Sequence, residues 1–228
     1  MGLISVILPV CNQRMDITDL EEYVRALAEL KSPFELLPVV SGDRRSELLE
    51  ICNTVSQRES AIRVFSLEAE GWGRAVQCGL AEARGDLICY AHSSHTSPQD
   101  LQRVLRYALS HPDDVIKANR RIHDGIMPRL GSLLYVAECR WLFDLPYWDI
   151  NGTPKVFPRK LGKLLALKSQ DDLVDLEFEV VCRREGYRVL EVPLPTIARD
   201  AVRQTTNLMS AWHMYVGAYR LWRQMQTP

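Results

Sequence analysis

The sequence lacks the patterns that mark several large protein classes. No CxxC pair occurs among its six cysteines, so neither a zinc site nor a disulfide framework is indicated. No run approaches the roughly 18 uninterrupted apolar residues of a membrane span. The formal net charge is only -1, which gives no field to attract nucleic acid. The first 12 residues are apolar without the basic start of a signal peptide, so we expect a cytoplasmic protein.

Two nucleotide-binding signatures are also missing. The chain has no GxGxxG after its first apolar run and no GxxxxGK[ST], which argues against an ordinary dinucleotide-binding or P-loop domain. It has no repeat and no Gly/Ser-rich linker. With 228 residues, of which 46% are hydrophobic, the chain is long enough for one sizeable core. We therefore expect a single domain.

Short apolar runs alternate with helical patterns through the first half of the chain. This alternation predicts an α/β fold with a mostly parallel sheet flanked by helices. Pro38 lies inside the second run, which indicates an edge strand or a bulge there. The predicted strands are residues 4–8, 34–40, 62–65, 87–90 and 115–116. In the second half we predict helices at 130–143 and 171–184, a loop around 149–155, and a strand at 187–192.

The stretch from Gly71 to Asp100 is the most informative part of the chain. A glycine-rich loop opens a helix, and a buried strand then ends in the small and polar residues 91–95. Ser97 and Pro98 are placed to cap and begin the next helix. In open α/β sheets ligands bind at the carboxyl ends of the strands. We therefore expect the functional site beside residues 91–95.

Several separate motifs follow one another in a recognisable order. They are SVILPVCNQ from Ser5, GWGRA from Gly71, ARGD from Ala83, DVIKANRR from Asp114, DINGTPKVFPR from Asp149, DLEF from Asp175 and GYRVLEVP from Gly186. In this order they resemble family 2 glycosyltransferases of the GT-A fold. The resemblance is greatest to polyprenyl-phosphate sugar transferases of the dolichol-phosphate mannosyltransferase type, and it covers nearly the whole chain.

The resemblance implies a GT-A domain at 1–204, a C-terminal amphipathic helix at 205–228, and a nucleotide sugar as donor. It places the donor at Pro9, Cys11, Asn12, Gln13, Asp43, Gly71, Gly73, Arg74, His92, Ser93 and Arg120. It gives catalytic roles to Asp175, Lys155 and Arg159. The acceptor it implies is a polyprenyl phosphate or a glycan. A lipid phosphate is already an anion, so it needs no base to deprotonate it.

The chain departs from the family at the positions where a metal ion is held. Mg²⁺ or Mn²⁺ is expected for the family and is bound by a D-x-D motif after the fourth strand. Aligned through Pro98, those positions are Ala91, His92 and Ser93, which offer no carboxylate for a hard cation. His92 and His95 would suit a softer ion, but two histidines alone more often only make hydrogen bonds. We therefore predict no metal ligands.

Fixed cations would partly compensate for a missing metal, since they too stabilise a leaving diphosphate. The candidates are Lys155 with Arg159, Arg120 with Arg121, and Arg199 with Arg203; solvated surface charge is the plainer interpretation of Arg121 and Arg203. In the C-terminal helix, an apolar stripe that includes Trp212, Tyr215 and Trp222 favours packing on the domain or on a second subunit. A membrane interface is the alternative for this stripe.

Two functions stay open on the sequence alone. The first is an active transferase that uses a nucleotide sugar, favoured by Asn12, the Gly71/Gly73 loop, Lys155, Arg159 and Asp175. The second is an inactive GT-A scaffold that binds a ligand or a partner, favoured by the missing D-x-D carboxylates.

Overall fold

The computed structural model describes residues 2–12, 15–120, 127–194 and 208–226. Seven strands form one sheet in the order β3-β2-β1-β4-β6-β5-β7. The strands are β1 Ile4–Cys11, β2 Phe34–Ser41, β3 Phe65–Ser66, β4 Leu87–Tyr90, β5 Val115–Arg120, β6 Lys155–Pro158 and β7 Val189–Leu194. The helices are α1 Ile17–Ala28, α2 Arg45–Ser56, α3 Trp72–Glu82, α4 Pro98–Ser110, α5 Met127–Phe143, α6 Val174–Arg184 and α7 Leu208–Gln226. The α/β fold with a mostly parallel sheet is confirmed.

Only β6 runs against its neighbours among the described strands. No strand was predicted here; the predicted loop at 149–155 overlaps β6 only at Lys155. It pairs with β4 on one side and with β5 on the other, so that Lys155 lies opposite Tyr90 and Pro158 lies opposite Leu87. The other strands all end at one edge of the sheet, here called the carboxyl edge, which contains Cys11, Ser41, Tyr90 and Arg120.

The predicted strand at 34–40 is not at the sheet edge, since β2 lies between β1 and the two-residue β3. A proline is nevertheless tolerated at position 38 of this strand. The backbone of Leu36 pairs with Ala61 and Arg63, on the β3 side of the sheet. Because alternate residues of a strand face the same neighbour, Pro38 also faces this sparsely paired side, where its missing N–H disrupts little. Pro193 in β7 has the same explanation, because β7 is an edge strand.

The alternation of side chains along β1 divides the core between the two faces of the sheet. Ile4, Val6, Leu8 and Val10 belong to a cluster with α1, α2 and α4, whereas Ile7 belongs to a cluster with α3 and α6. A third cluster lies where α5, α6 and α7 meet, and Ala218 and Leu221 are its buried members from α7. In the described part of the C-terminal stripe, Tyr215, Ala218 and Trp222 pack in this cluster.

The helix that follows the predicted site begins as the sequence indicates. Ser97 caps α4 by accepting a hydrogen bond from the backbone N–H of Asp100 at 3.0 Å, and Pro98 is its first residue. This cap fixes the direction in which the chain leaves β4, directly after the polar residues 91–95. The start of α6 was predicted at 171 and is found at Val174.

Candidate functional site

The ends of β1 and β2 are joined at the carboxyl edge by Asn12. This residue adopts a left-handed backbone conformation with φ 48°, and its side-chain oxygen accepts a hydrogen bond from the backbone N–H of Arg44 at 3.2 Å. A side chain at Gly42, where φ is 90°, would overlap the Asn12 amide. Asn12 therefore fixes the turn that carries Asp43, whose side chain is exposed at this edge.

Glu70 ties the end of β1 to the loop before α3. Its carboxylate accepts hydrogen bonds from the Cys11 thiol at 2.9 Å and from the Asn12 amide at 3.2 Å. Burial, together with the hydrogen bond to Glu70, raises the pKa of the Cys11 thiol to about 11. Cys11 is consequently a hydrogen-bond donor at neutral pH and not a nucleophile.

The glycines of the Gly71-Trp72-Gly73 loop are explained by close packing. A Cβ on Gly73 would overlap the backbone carbonyl of Ser169, and Gly71 has φ 154°. The backbone N–H of Arg74 donates to the carbonyl of Gln170 at 3.1 Å. The start of α3 thus lies against the 168–170 segment. Sequence reasoning predicted these glycines as donor-binding residues; their contacts in the structure are with this segment.

Three aromatic rings lie beside the end of β4. His92 is stacked on Trp72 with ring centroids 4.8 Å apart, and His95 lies 4.5 Å from His92 on a tilted plane. The Nδ1 atom of His92 is 2.9 Å from the hydroxyl of Ser94. We call Trp72, His92 and His95 the aromatic column. Sequence analysis named His92 and His95 as site residues but not Trp72, whose position between two glycines at a helix start was the available signal.

Ser93 links β4 to β1. Its hydroxyl donates to the carbonyl of Pro9 at 2.6 Å, and the backbone N–H of His92 donates weakly to Thr153 Oγ1 at 3.4 Å. Hydrogen bonds and ring contacts thus link the ends of β1, β2 and β4 with the loop before α3; these elements carry Pro9, Cys11, Asn12, Asp43, Gly71, His92 and Ser93. Gln13, Arg121, Arg199 and Arg203 lie outside the described residues, and Arg120 is described only in its backbone.

Asp175 contacts the aromatic column through Trp72, and both of its carboxylate oxygens accept hydrogen bonds. Oδ2 accepts from the Trp72 indole at 2.9 Å, and Oδ1 accepts from the Tyr90 hydroxyl at 3.1 Å and from Lys155 Nζ at 2.7 Å. Burial, followed by the nearby charges of Asp175 and Glu179, raises the pKa of Tyr90 well above its usual range, so its hydroxyl remains a donor. Asp175 is thus built to hold these groups in place.

Lys155 was predicted in a loop, but it lies at the start of β6 and is completely buried. Besides Asp175, its ammonium contacts the carbonyl of Ile150 at 2.8 Å and Glu179 at 3.5 Å. Burial alone would lower its pKa, but Asp175 and Glu179 raise the pKa above its ordinary value. Lys155 is therefore a buried cation that contributes to the electrostatics of the site without reaching its surface.

Arg159 is not near the other predicted site residues. Its guanidinium donates to the carbonyls of Ala83 and Gly85, and its backbone N–H donates to Asp86. These residues precede β4, whereas His92 follows it. Since β6 is antiparallel to β4, Arg159 lies at the opposite edge of the sheet. The catalytic role predicted for Arg159 does not fit this position.

The described donor atoms at the end of β4 do not fit a divalent cation. Ala91 is buried, His92 is stacked, and Ser93 donates to Pro9. Within the ranges that the structure describes, no group of three or more His, Cys, Asp or Glu side chains is arranged to hold a metal ion. Mg²⁺ and Mn²⁺ require several oxygen ligands, preferably charged ones, and this strand end does not provide them.

Solved structures with the same fold come from Mycobacterium tuberculosis. Glucosyl-3-phosphoglycerate synthase in complex with UDP aligns with a TM-score of 0.68 and 19% identity over 97% of this chain and 80% of that chain. The same enzyme in complex with Mn²⁺, UDP-glucose and phosphoglyceric acid aligns with a TM-score of 0.65 and 18% identity, over 95% of this chain and 79% of that chain. At this identity the likeness shows the fold. A search of curated proteins found no match.

The match to a family is made by the sequence itself. The profile described as glycosyl transferase family 2 matches residues 5–134. This range is more than half of the chain, and it includes the ends of β1, β2 and β4, where the described site residues meet. The chain belongs to glycosyl transferase family 2.

Proposed function

We propose that this protein transfers a sugar from a nucleotide-sugar donor to a phosphate-bearing or glycan acceptor, with the donor bound at the carboxyl edge. The observation that carries the proposal is the meeting of three strand ends there. Asn12 joins β1 to the turn after β2, and Ser93 joins β4 to β1. Ligands of open α/β sheets bind at such strand ends. The family and the fold support a nucleotide sugar as that ligand.

The reaction breaks the bond between the anomeric carbon and the diphosphate oxygen, and an acceptor oxygen takes the place of the diphosphate. Asp175 is a poor candidate for the base, because Trp72, Tyr90 and Lys155 already hold its oxygens. An acceptor that is already an anion removes the need for a base. This favours a phosphate acceptor over a neutral hydroxyl.

A polyprenyl phosphate is the acceptor that we propose first, on the resemblance to the dolichol-phosphate type. The structure adds one supporting feature. Five of the six exposed large hydrophobic side chains in the described part of the chain lie on α5, on the segment after it or on α7; they are Leu133, Leu134, Trp141, Trp148 and Tyr219. Arg140 stacks over Trp148 at 4.0 Å, a pairing suited to a membrane surface. None of the described helices is long and apolar enough to cross a membrane.

The second candidate is a GT-A scaffold that binds a ligand or partner without turnover. The occupied carboxylate of Asp175 and the absence of carboxylates at residues 91–93 favour it. The two candidates differ in one measurable respect. A transferase consumes the donor in the presence of the right acceptor, whereas a scaffold binds the donor and leaves it intact.

The test is a titration followed by a turnover assay. The purified protein is titrated calorimetrically with UDP, GDP and their sugar conjugates, with Asn12→Ala as the variant expected to weaken binding. The conjugate that binds is then supplied with a labelled sugar, together with undecaprenyl phosphate or 3-phosphoglycerate. Label transferred to either acceptor supports the transferase and identifies the acceptor class. Binding without transfer to either acceptor supports the scaffold, and absence of binding contradicts the transferase.

A further inference from the structure

The end of β4 carries rings at the positions where the family resemblance implies a metal-binding D-x-D motif. Complexes of glucosyl-3-phosphoglycerate synthase hold UDP with Mg²⁺, or UDP-glucose with Mn²⁺. In this chain the end of β4 carries the aromatic column. The His92 ring contacts both Trp72 and His95, with centroid distances of 4.8 Å and 4.5 Å.

Hydrogen bonds to buried side chains hold the aromatic column in place. The Trp72 indole donates to Asp175, and Asp175 is held in turn by Tyr90 and by the fully buried Lys155. The His92 ring also contacts Ser94 Oγ through Nδ1 at 2.9 Å, and the His92 backbone N–H donates to Thr153 Oγ1 at 3.4 Å. A ring held by stacking and by a hydrogen bond loses little conformational entropy when a ligand binds against it. The aromatic column is therefore a preorganised surface for ligand binding.

Among the described residues, no three acidic, His or Cys side chains are grouped to hold a metal ion, and two of the carboxylates near this edge hold other groups. Glu70 holds Cys11 and Asn12, and Asp175 holds Trp72 and Lys155. Asp43 is exposed at the end of β2. A divalent cation placed beside His92 would therefore lack the set of charged oxygen ligands that it needs.

We propose that this protein binds the diphosphate of its nucleotide without a divalent cation, and that His92, fixed in the aromatic column, makes the contact that a metal ion makes elsewhere. An imidazole N–H donates a hydrogen bond to a phosphate oxygen, and charge-assisted bonds of this kind are among the stronger ones. Any positive charge on the ring is stabilised by the face of Trp72. The inference rests on the proposed function, because it takes the ligand to be a nucleoside diphosphate.

The test is a calorimetric titration of the whole protein with UDP and with GDP, each in EDTA and in Mn²⁺. We expect the same dissociation constant, within about twofold, in both conditions for the nucleotide that binds. Loss of one charge-assisted hydrogen bond in His92→Ala should weaken binding about tenfold or more. His92→Gln retains an N–H donor and should recover part of the affinity. Thermal melts of both variants check that they are folded.

His111 provides the matched control. It too is stacked on an aromatic ring, Tyr107, at a centroid distance of 4.4 Å, but it follows α4 near the start of β5, at the edge of the sheet opposite His92. His111→Ala should leave the affinity unchanged.

Two results would overturn the inference while leaving the proposed function intact. One is affinity that appears, or rises more than about tenfold, only when Mn²⁺ is present. The other is a folded His92→Ala variant that binds as tightly as the native protein. If neither UDP nor GDP nor their sugar conjugates bind in either condition, the proposed function itself fails, and the inference fails with it.

Discussion

At the residue scale, Asp175 is the centre of a buried network of charges. It pairs with Lys155 at 2.7 Å, Lys155 approaches Glu179 at 3.5 Å, and Glu179 pairs with Lys117 at 3.0 Å. Lys117, Lys155 and Glu179 are completely buried. Such a network stabilises the fold only while every charge keeps its partner, because an unpaired buried charge is costly. This explains why the carboxylate nearest to the aromatic column is unsuited to act as a base.

Replacing Asp175 by Asn tests this description. The substitution keeps the shape of the side chain but leaves Lys155 short of one negative partner, so the free energy of unfolding should fall by about 3–5 kcal/mol. Asp144→Asn is the matched control, since Asp144 pairs with Arg183 on the surface with 85% of its side chain exposed. That pair should contribute less than about 1 kcal/mol. Urea unfolding measures both; equal losses would contradict the network.

Glu35 makes the stability of the folded protein depend on pH. Burial alone would raise its pKa, but hydrogen bonds from Ser5, the backbone of Arg84 and Arg63 lower it below the ordinary value of 4.5. Because the folded state holds the carboxylate ionised, its stabilisation is present above pH 4.5 and is lost as the pH falls towards the lowered pKa. The free energy of unfolding of the native protein should therefore exceed that of Glu35→Gln by a smaller amount below pH 4.5 than above it. Chemical unfolding at several pH values measures this difference. A difference that is constant or widens there would argue against this role.

The roles of single residues were the hardest to predict from the sequence. The strand-end position of His92 follows from local patterns, because Leu87–Tyr90 is a short apolar run and Ser97-Pro98 begins a helix. The partners of Lys155 do not follow from such patterns. Lys155 lies on β6, which is inserted between β4 and β5, and its ionic partners Asp175 and Glu179 come from α6. Only the assembled sheet shows that this lysine is buried.

At the element scale, the contact between α3 and the 168–170 segment fixes the position of Trp72. Ser169 also accepts a hydrogen bond from the Gln77 amide at 2.9 Å, and the Lys168 and Ser169 backbone N–H groups donate to the buried Glu177. The segment is therefore attached to α3 on one side and to α6 on the other. The glycine at position 73 allows this close approach.

Gly73→Ala should accordingly disturb both stability and the aromatic column. The added methyl group would overlap the carbonyl of Ser169, and overpacking of this kind costs about 1–3 kcal/mol. At Gly162 an added Cβ meets nothing within 4 Å, so Gly162→Ala should change stability by no more than about 0.5 kcal/mol. Thermal unfolding compares the two variants. If both are equally neutral, α3 can move away from the 168–170 segment at no cost.

Elements with strong local signals were predicted well, and those defined by their neighbours were not. The Ser97 cap and the amphipathic pattern of α4 lie within a few residues of one another, so the sequence indicates the helix directly. The four residues of β6 begin with a lysine and end with a proline, so only two apolar residues are left to indicate a strand. Their strand conformation arises from pairing with β4 and β5 on both sides.

At the scale of the whole molecule, α7 covers the cluster formed by α5 and α6. Leu221 is 9% exposed in this cluster, and Tyr215 contacts Tyr135 edge to face with ring centroids 5.9 Å apart. The C-terminal stripe could be recognised in the sequence, but not the surface that it packs on. We propose that 205–228 is an integral part of the unit formed with 1–204.

Leu221→Ala tests that proposal. Truncating a buried leucine costs about 2–5 kcal/mol in a well-packed core, and the same loss is expected here if α7 unfolds together with the domain. The neighbouring Arg220 is exposed, so Arg220→Ala should have little effect. A single cooperative transition that shifts only in Leu221→Ala would support one unit. A separate early transition for α7 would show that it is an appendage.

The central claim is that the nucleotide sugar binds at the carboxyl edge. The most direct test is to measure amide hydrogen exchange of the whole protein with and without UDP-glucose or GDP-mannose. The account predicts slower amide exchange at residues 10–12, 41–44 and 91–95, where β1, β2 and β4 end. A cavity of about 600 Å³ between α6, α7 and the 163–169 segment provides the contrast; it includes Lys163, Lys168, Arg184 and Leu221. Protection confined to that cavity, with the three strand ends unchanged, would contradict the account.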